Sequence, residues 1–219
     1  FALRVMEWAE LVASRHRPRL TSFLDPREQF IVQAIVGREA GIQVSFNGGY
    51  EQAERKRAYL YPDYLEESDL DYELALLSVR TGQKEIPFSH RDLLGSILGL
   101  GLKREKVGDI ILTEETAQVI VTEDIADYIH IHLEQIGRYR VSTTRLEWSQ
   151  LVLPEEKWLY QQASVSSMRL DAILAELTRL SRSKVIPLIK SGKVKVNWKI
   201  VDQPSFQLEE GDQLSVQGY

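Results

Sequence analysis

From Met168 to Tyr219 the apolar spacing changes from a helical period to a strand period while the polar positions turn basic, a combination that few folds accommodate in 52 residues. Leu170, Ile173, Leu174 and Leu177 recur at three and four residues, one face of a short helix with Asp171 near its positive N-terminal end. Ser181 reads as the N-cap of a second helix from about Arg182 to Lys190, with Val185, Leu188 and Ile189 inward and Gly192 where a left-handed C-terminal cap belongs. Pro187 lies inside it, removes one backbone donor, and is expected to kink or shorten it. From Lys193 the period is two: Val194, Val196, Trp198 and Ile200 face one side, and Lys193, Lys195, Asn197 and Lys199 the other. The expectation is one basic strand face, with Trp198 as a core anchor.

Between Arg169 and Lys199 there are eight Lys or Arg against Asp171 and Glu176, a surplus of six in a chain of formal net charge −5. Such segregation is the footprint of a module that tracks phosphates. A plain solvated lysine face is the alternative, but here the lysines alternate with apolar residues and stand beside a helix N-terminus. The candidate contacts are Arg169, Ser181, Arg182, Ser183, Lys184, Lys190, Lys193, Lys195, Asn197 and Lys199, with the helix amides after Ser181 as uncharged donors.

The runs Arg169-Leu170-Asp171, Ser181-Arg182-Ser183-Lys184, Gly192-x-Val194-x-Val196-Asn197 and Gly211-Asp212 resemble the RNA-binding domain first described in small-subunit ribosomal protein S-four. The same module occurs in some pseudouridine synthases, tyrosyl-tRNA synthetases and stalled-ribosome rescue factors. Trp198 stands where that module usually has Gly, so a tight turn with positive φ is not expected there.

A length of 219 residues predicts two or three domains. Cysteine is absent, which excludes disulfides, thiolate metal sites and cysteine nucleophiles. No apolar run approaches the ~20 residues that cross a bilayer, so a cytoplasmic protein without membrane insertion is expected. The chain opens at Phe1, without an initiator Met and already inside an apolar-periodic pattern, from which a missing N-terminal piece is expected.

Leu3, Met6 or Trp8, Leu11 and Val12 mark a helix ending before Pro18. Asp25, Pro26 and Glu28 start a second helix, buried through Phe30, Ile31, Ala34 and Ile35 and ended by Gly41. Ile42, Val44 and Phe46 form a strand into the turn at Asn47, Gly48 and Gly49, with Ala58 to Tyr61 as its returning partner. The next segment reads β-α-β-β-α-β: a strand from Leu74 to about Arg80, a helix capped by Ser89, strands at Val107 to Leu112 and Ala117 to Val121, a helix carrying Ile125, Ile129, Leu133 and Ile136, and a strand from Tyr139 to Leu146. The fold class is thus α+β: an N-terminal α/β lobe (1–68), a ferredoxin-like domain of the topology used by RNA-recognition motifs (69–150), a linker (151–167) with Pro154, Trp158 and Tyr160, and the S-four-type module (168–219). The third strand of the middle domain has no aromatic residue, so the base-stacking platform of those RNA readers is missing.

Asp25-Pro26-Arg27-Glu28, Asn47-Gly48-Gly49-Tyr50, the run from His90 through Asp92 to Gly95, and Lys103-Arg104-Glu105-Lys106-x-Gly108-Asp109, followed by the ribosomal-type module, resemble the bacterial YlmH family along essentially the whole chain. That resemblance implies an RNA-binding protein encoded in the division-gene neighbourhood and related to factors acting on stalled large ribosomal subunits that carry peptidyl-tRNA. The expected function is non-catalytic recognition of structured ribosomal or transfer RNA, with no cofactor and no metal; the alternatives are an RNA-modifying enzyme of pseudouridine-synthase type or an adaptor for division proteins. His90, Arg91, Lys103, Arg104 and Lys106 are a secondary candidate RNA contact. The glycines at 95, 99 and 101 lack the Lys-Ser/Thr pair of a phosphate loop, and His130 and His132, two apart on a helix, point to different faces.

Overall fold

A computed structural model describes residues 1–67, 71–153 and 160–217, which divide into one unit over Phe1–Glu156 and a second over Lys157–Tyr219. Pro154 and Trp158 of the expected linker lie outside the described residues, and Tyr160 is 94% exposed. No helix among the described residues is long and apolar enough to cross a membrane.

The first lobe is α1 (Ala2–Arg15), β1 (Arg19–Leu24), α2 (Pro26–Val36), β2 (Ile42–Asn47) and β3 (Lys56–Pro62), with sheet order β1-β3-β2. Both helices form where expected, and Trp8, Val12 and Ile35 of the expected stripes face the core, but the rest of each stripe differs. The stripe of α1 is Val5, Ala9 and Val12, while Leu3, Met6 and Leu11 are exposed; α2 buries Val32 and Val36 and leaves Phe30 exposed. Small β-branched and alanine side chains allow the helices to lie close on Ala58 and Leu60 of the central strand, and that outweighs side-chain size. At the start of α2 the Glu28 amide donates to Asp25 Oδ1 (2.8 Å) and the Asp25 amide to Glu28 Oε2 (3.0 Å). The helix ends at Val36 rather than Gly41, which instead takes φ 82° in the turn into β2. β1, absent from the sequence reading, pairs antiparallel with β3.

The second part of this unit is β4 (Leu74–Thr81), α3 (His90–Gly99), β5 (Val107–Leu112), β6 (Ala117–Thr122), α4 (Glu123–His132), β7 (Gln135–Ile136) and β8 (Tyr139–Leu146). The antiparallel order β5-β6-β4-β8-β7 is the ferredoxin-like plait with one added edge strand. That addition corrects one assignment: Ile136 is a buried strand residue, because α4 stops at His132. α3 and α4 cover one face of the sheet through Leu93, Ile97, Ile125 and Ile129. The other face carries Leu76 and Ile120, which pack on Phe23 of the first lobe with Tyr50, Leu146 and Leu151 around them.

The second unit is α5 (Leu170–Thr178), α6 (Arg182–Lys190), β9 (Val194–Val196), β10 (Lys199–Ile200) and β11 (Leu214–Val216), with β9 central in a three-stranded antiparallel sheet. Leu170, Leu174, Val185, Ile189, Val194 and Val196 form its core. α6 runs through Pro187 to Lys190; it then closes with Gly192 at φ 72°, whose amide donates to Ile189 O (3.1 Å) while that of Lys193 donates to Leu188 O (3.2 Å).

A candidate nucleic-acid interface on the second unit

Arg182, Ser183 and Lys184 occupy the first turn of α6, all exposed, after Ser181 in extended conformation. Ser181 has the backbone of an N-cap, but its hydroxyl hydrogen-bonds that of Ser183 (2.8 Å) instead of a helix amide. Amides at the start of α6 are therefore free of side-chain capping, and the macrodipole adds partial positive charge beside two cations. Lys190, Lys193, Lys195 and Lys199 are also exposed, and none of these Lys or Arg residues has an ion pair among the described residues.

Arg169 is differently placed. Its Nε and Nη2 donate to the two carboxylate oxygens of Asp171 (3.0 and 3.1 Å), a bidentate fork at the start of α5. That hydrogen bonding holds the Asp171 carboxyl below its ordinary range, and the charge of Arg182 reaches the same carboxylate. Asp171 itself is only 4% exposed. Such a carboxylate is committed to positioning a guanidinium.

The strand face differs from the expectation. Val196 pairs with Lys199 and Lys195 with Ile200, so Asn197 and Trp198 form a two-residue turn with φ 48° and 62°. Residues on one strand share a face at even separations, but a two-residue hairpin joins faces at an odd one. Lys199 therefore sides with Val196, while Ile200, 57% exposed, sides with Lys195. Trp198 is half-buried at the turn and is not among the packed core residues. The tight turn forms without glycine because Asn197 is held: its Nδ2 donates to Asp212 Oδ1 (2.7 Å) and its Oδ1 accepts from the Gln213 amide (3.0 Å). The Asp212 carboxylate also accepts from the Glu209 amide (2.8 Å). Asn197 and Gly211-Asp212 are thus two halves of one structural lock.

The secondary candidates separate. Lys106 is bound to Asp124 (2.7 Å), Arg91 is exposed on α3, and Arg104 is half-buried beside His90, whose pKa is lowered by burial and then by Arg104. The motifs around them build a joint between the two parts of the first unit. Asp109 accepts from the Tyr50 hydroxyl (2.8 Å) and the amides of Glu54 (2.8 Å) and Arg55 (3.0 Å). Gly108 admits Phe23 at a distance no side chain would permit, since an added Cβ would stand 2.7 Å from its ring. Buried Arg57 adds bonds to Thr21 O (2.7 Å) and Tyr72 O (2.8 Å). Sequence reasoning missed this joint because its partners are about 55 residues apart.

Three family sequence models match in succession: "YlmH, N-terminal" over residues 1–65, "Putative RNA-binding domain in YlmH" over 67–150, and "S4 domain" over 168–214. The chain is 44% identical over its full 219 residues, and over 85% of the relative, to the ribosome-associated protein quality control protein P2 of Bacillus subtilis (strain 168). The chain belongs to the YlmH family. A structure of the cell division protein ylmH from Streptococcus pneumoniae superposes with a TM-score of 0.60 at 28% identity, covering 67% of this chain and 89% of that one. An uncharacterized RNA pseudouridine synthase of Aquifex aeolicus (strain VF5) is 39% identical over 51 residues, 23% of this chain and 21% of its own length. Membership of the YlmH family therefore spans the whole chain, whereas the likeness to the synthase is local.

Proposed function

We propose that this YlmH-family chain binds structured RNA of the large ribosomal subunit, including one that retains tRNA, through the second unit and without turnover of its own. The observation that carries this reading is the exposed cationic set along α6 and into β9, Arg182, Lys184, Lys190, Lys193 and Lys195, which makes no ion pair among the described residues and stands on the segment matched by the S4 domain. The name of the Bacillus relative supports the ribosome as the particle. A face of this size recognises RNA shape rather than a long base sequence, and ribosomal and transfer RNA are the abundant shaped RNAs of a cell. Arg169 contributes by position, since Asp171 holds its fork and leaves the remaining edge to a phosphate.

In a bacterial lysate at moderate salt the chain should co-sediment with the large subunit on a sucrose gradient, and a variant with Arg182→Glu and Lys184→Glu should remain at the top. Replacing Lys193 and Lys195 by Ala should lower the slope of log affinity against log salt by about two, about one per phosphate contact. A wild type that stays at the top of the gradient would favour the alternative of an adaptor for division proteins, in keeping with the words "cell division protein" in the name of the Streptococcus relative.

A further inference from the structure

The sheet face on which RNA-recognition domains stack bases is covered in this chain. Phe23 and Tyr50 lie on Leu76 and Ile120, and Gln118 is tied to the following segment, donating to Gln150 O (2.9 Å) and accepting from the Val152 amide (2.9 Å). Any RNA contact made by the ferredoxin-like domain must lie elsewhere. Beside the joint there are two open cavities of about 560 and 580 Å³, and Arg55 and Arg104 line both.

Among the described residues these two guanidiniums are anchored to backbone oxygens. Arg55 Nε donates to Val107 O (3.2 Å) and its Nη2 to Phe23 O (3.1 Å), while Arg104 Nη1 donates to Val107 O. Neither has an ion pair among the described residues. Asp25 and Glu28 cap α2 and Asp109 accepts three bonds from the 50–55 loop, while Glu54 and Glu105 also line the cavities without an ion pair to either arginine among the described residues. Burial, and then the like charge of Arg55, pull the Arg104 pKa down to about 10 against the opposing charges of Asp109 and Glu54. The first cavity is also lined by exposed Arg4, Arg19 and Lys103, and the Arg4 and Arg19 guanidiniums lie 5.2 and 4.8 Å from the centroid of the Trp8 ring, which orients them.

We propose that this cleft between the first lobe and the ferredoxin-like domain is a second RNA site, taking a phosphate group on Arg55 and Arg104 with Arg4, Arg19 and Lys103 at its mouth. It rests on the reading of the chain as an RNA binder but not on the second unit being where that binding occurs. The shared chemistry is a phosphate oxyanion, from a strand or from a mononucleotide.

The test uses the full chain and a fluorescein-labelled single-stranded oligoribonucleotide, followed by anisotropy at low salt. A background with Arg182→Glu, Lys184→Glu, Lys193→Glu and Lys195→Glu silences the second unit. It should keep weak, salt-dependent binding, and adding Arg19→Glu and Lys103→Glu, both exposed, should weaken that binding by at least about tenfold with the melting temperature unchanged. Arg80→Glu with Arg140→Glu, an equal charge change on exposed residues outside the cleft's first cavity, should leave it intact. Displacement of the oligonucleotide by adenosine monophosphate but not adenosine would assign a mononucleotide, and displacement by neither a strand. A background with no residual binding, or a cleft variant no weaker than the Arg80 and Arg140 control, would overturn the proposal while leaving the second unit's role intact. A background that binds as tightly as wild type, with binding lost on cleft reversal, would uphold the cleft and reject that role.

Discussion

Asp171 is buried with its carboxylate committed to Arg169, and the linkage between its charge and folding is therefore directional. Its folded pKa lies below the ordinary value because the hydrogen-bonded ion is favoured, so the pair stabilises the second unit fully at neutral pH and less as pH falls through that depressed value. Replacing Asp171 with Asn should lower the melting temperature of the second unit at pH 7 and flatten its decline between about pH 5 and 3; thermal melts across that range check both. A variant that melts at the wild-type temperature at pH 7 would show the pair to be without effect. Much at this scale was legible in sequence: the capping box at Asp25 and Glu28, Ser89 as a cap, and the left-handed Gly192 all follow from local chemistry. The role of Asn197 was not, since its partners Asp212 and Gln213 lie 15 and 16 residues away and look like ordinary polar turn residues.

At the scale of elements, periodicity located every α-helix among the described residues and most strands but not always which side is buried. On α1, large apolar residues surround the helix, so counting them cannot identify the stripe; the shape of the neighbour does. β1 escaped notice because Arg19 to Leu24 follows a basic cluster and alternates weakly. The β9–β10 hairpin was misread for a different reason: a period-two count carried past the strand end treats the turn as more strand. Its Trp198 is held at φ 62°, where a residue with a Cβ costs about 1–2 kcal/mol. Replacing Trp198 with Gly should therefore raise the stability of the second unit by about 1 kcal/mol, read from urea denaturation. A loss instead would mean that the half-buried ring contributes more through packing than the turn costs.

For the molecule as a whole, three matched sequence segments correspond to two structural units, because the first lobe and the ferredoxin-like domain share Phe23, Leu76 and Ile120 and the hydrogen bonds of Asp109. Replacing Gly108 with Ala would force a methyl group against the Phe23 ring and should cost about 1–3 kcal/mol by overpacking. Calorimetry should find that loss confined to the transition of the first unit. The topology of each part was legible because periodicity marks its strands and helices and their order specifies the pairing; the joint was not, because it depends on side chains and loops that meet only after both parts fold. Phe23 seated in the hollow left by Gly108 has a consequence for exchange between relatives. A ferredoxin-like domain transplanted alone would uncover an apolar socket and lose the donors that Asp109 requires, so chimeras cut at the boundary near residue 66 should aggregate, and those that transfer both parts together should remain soluble.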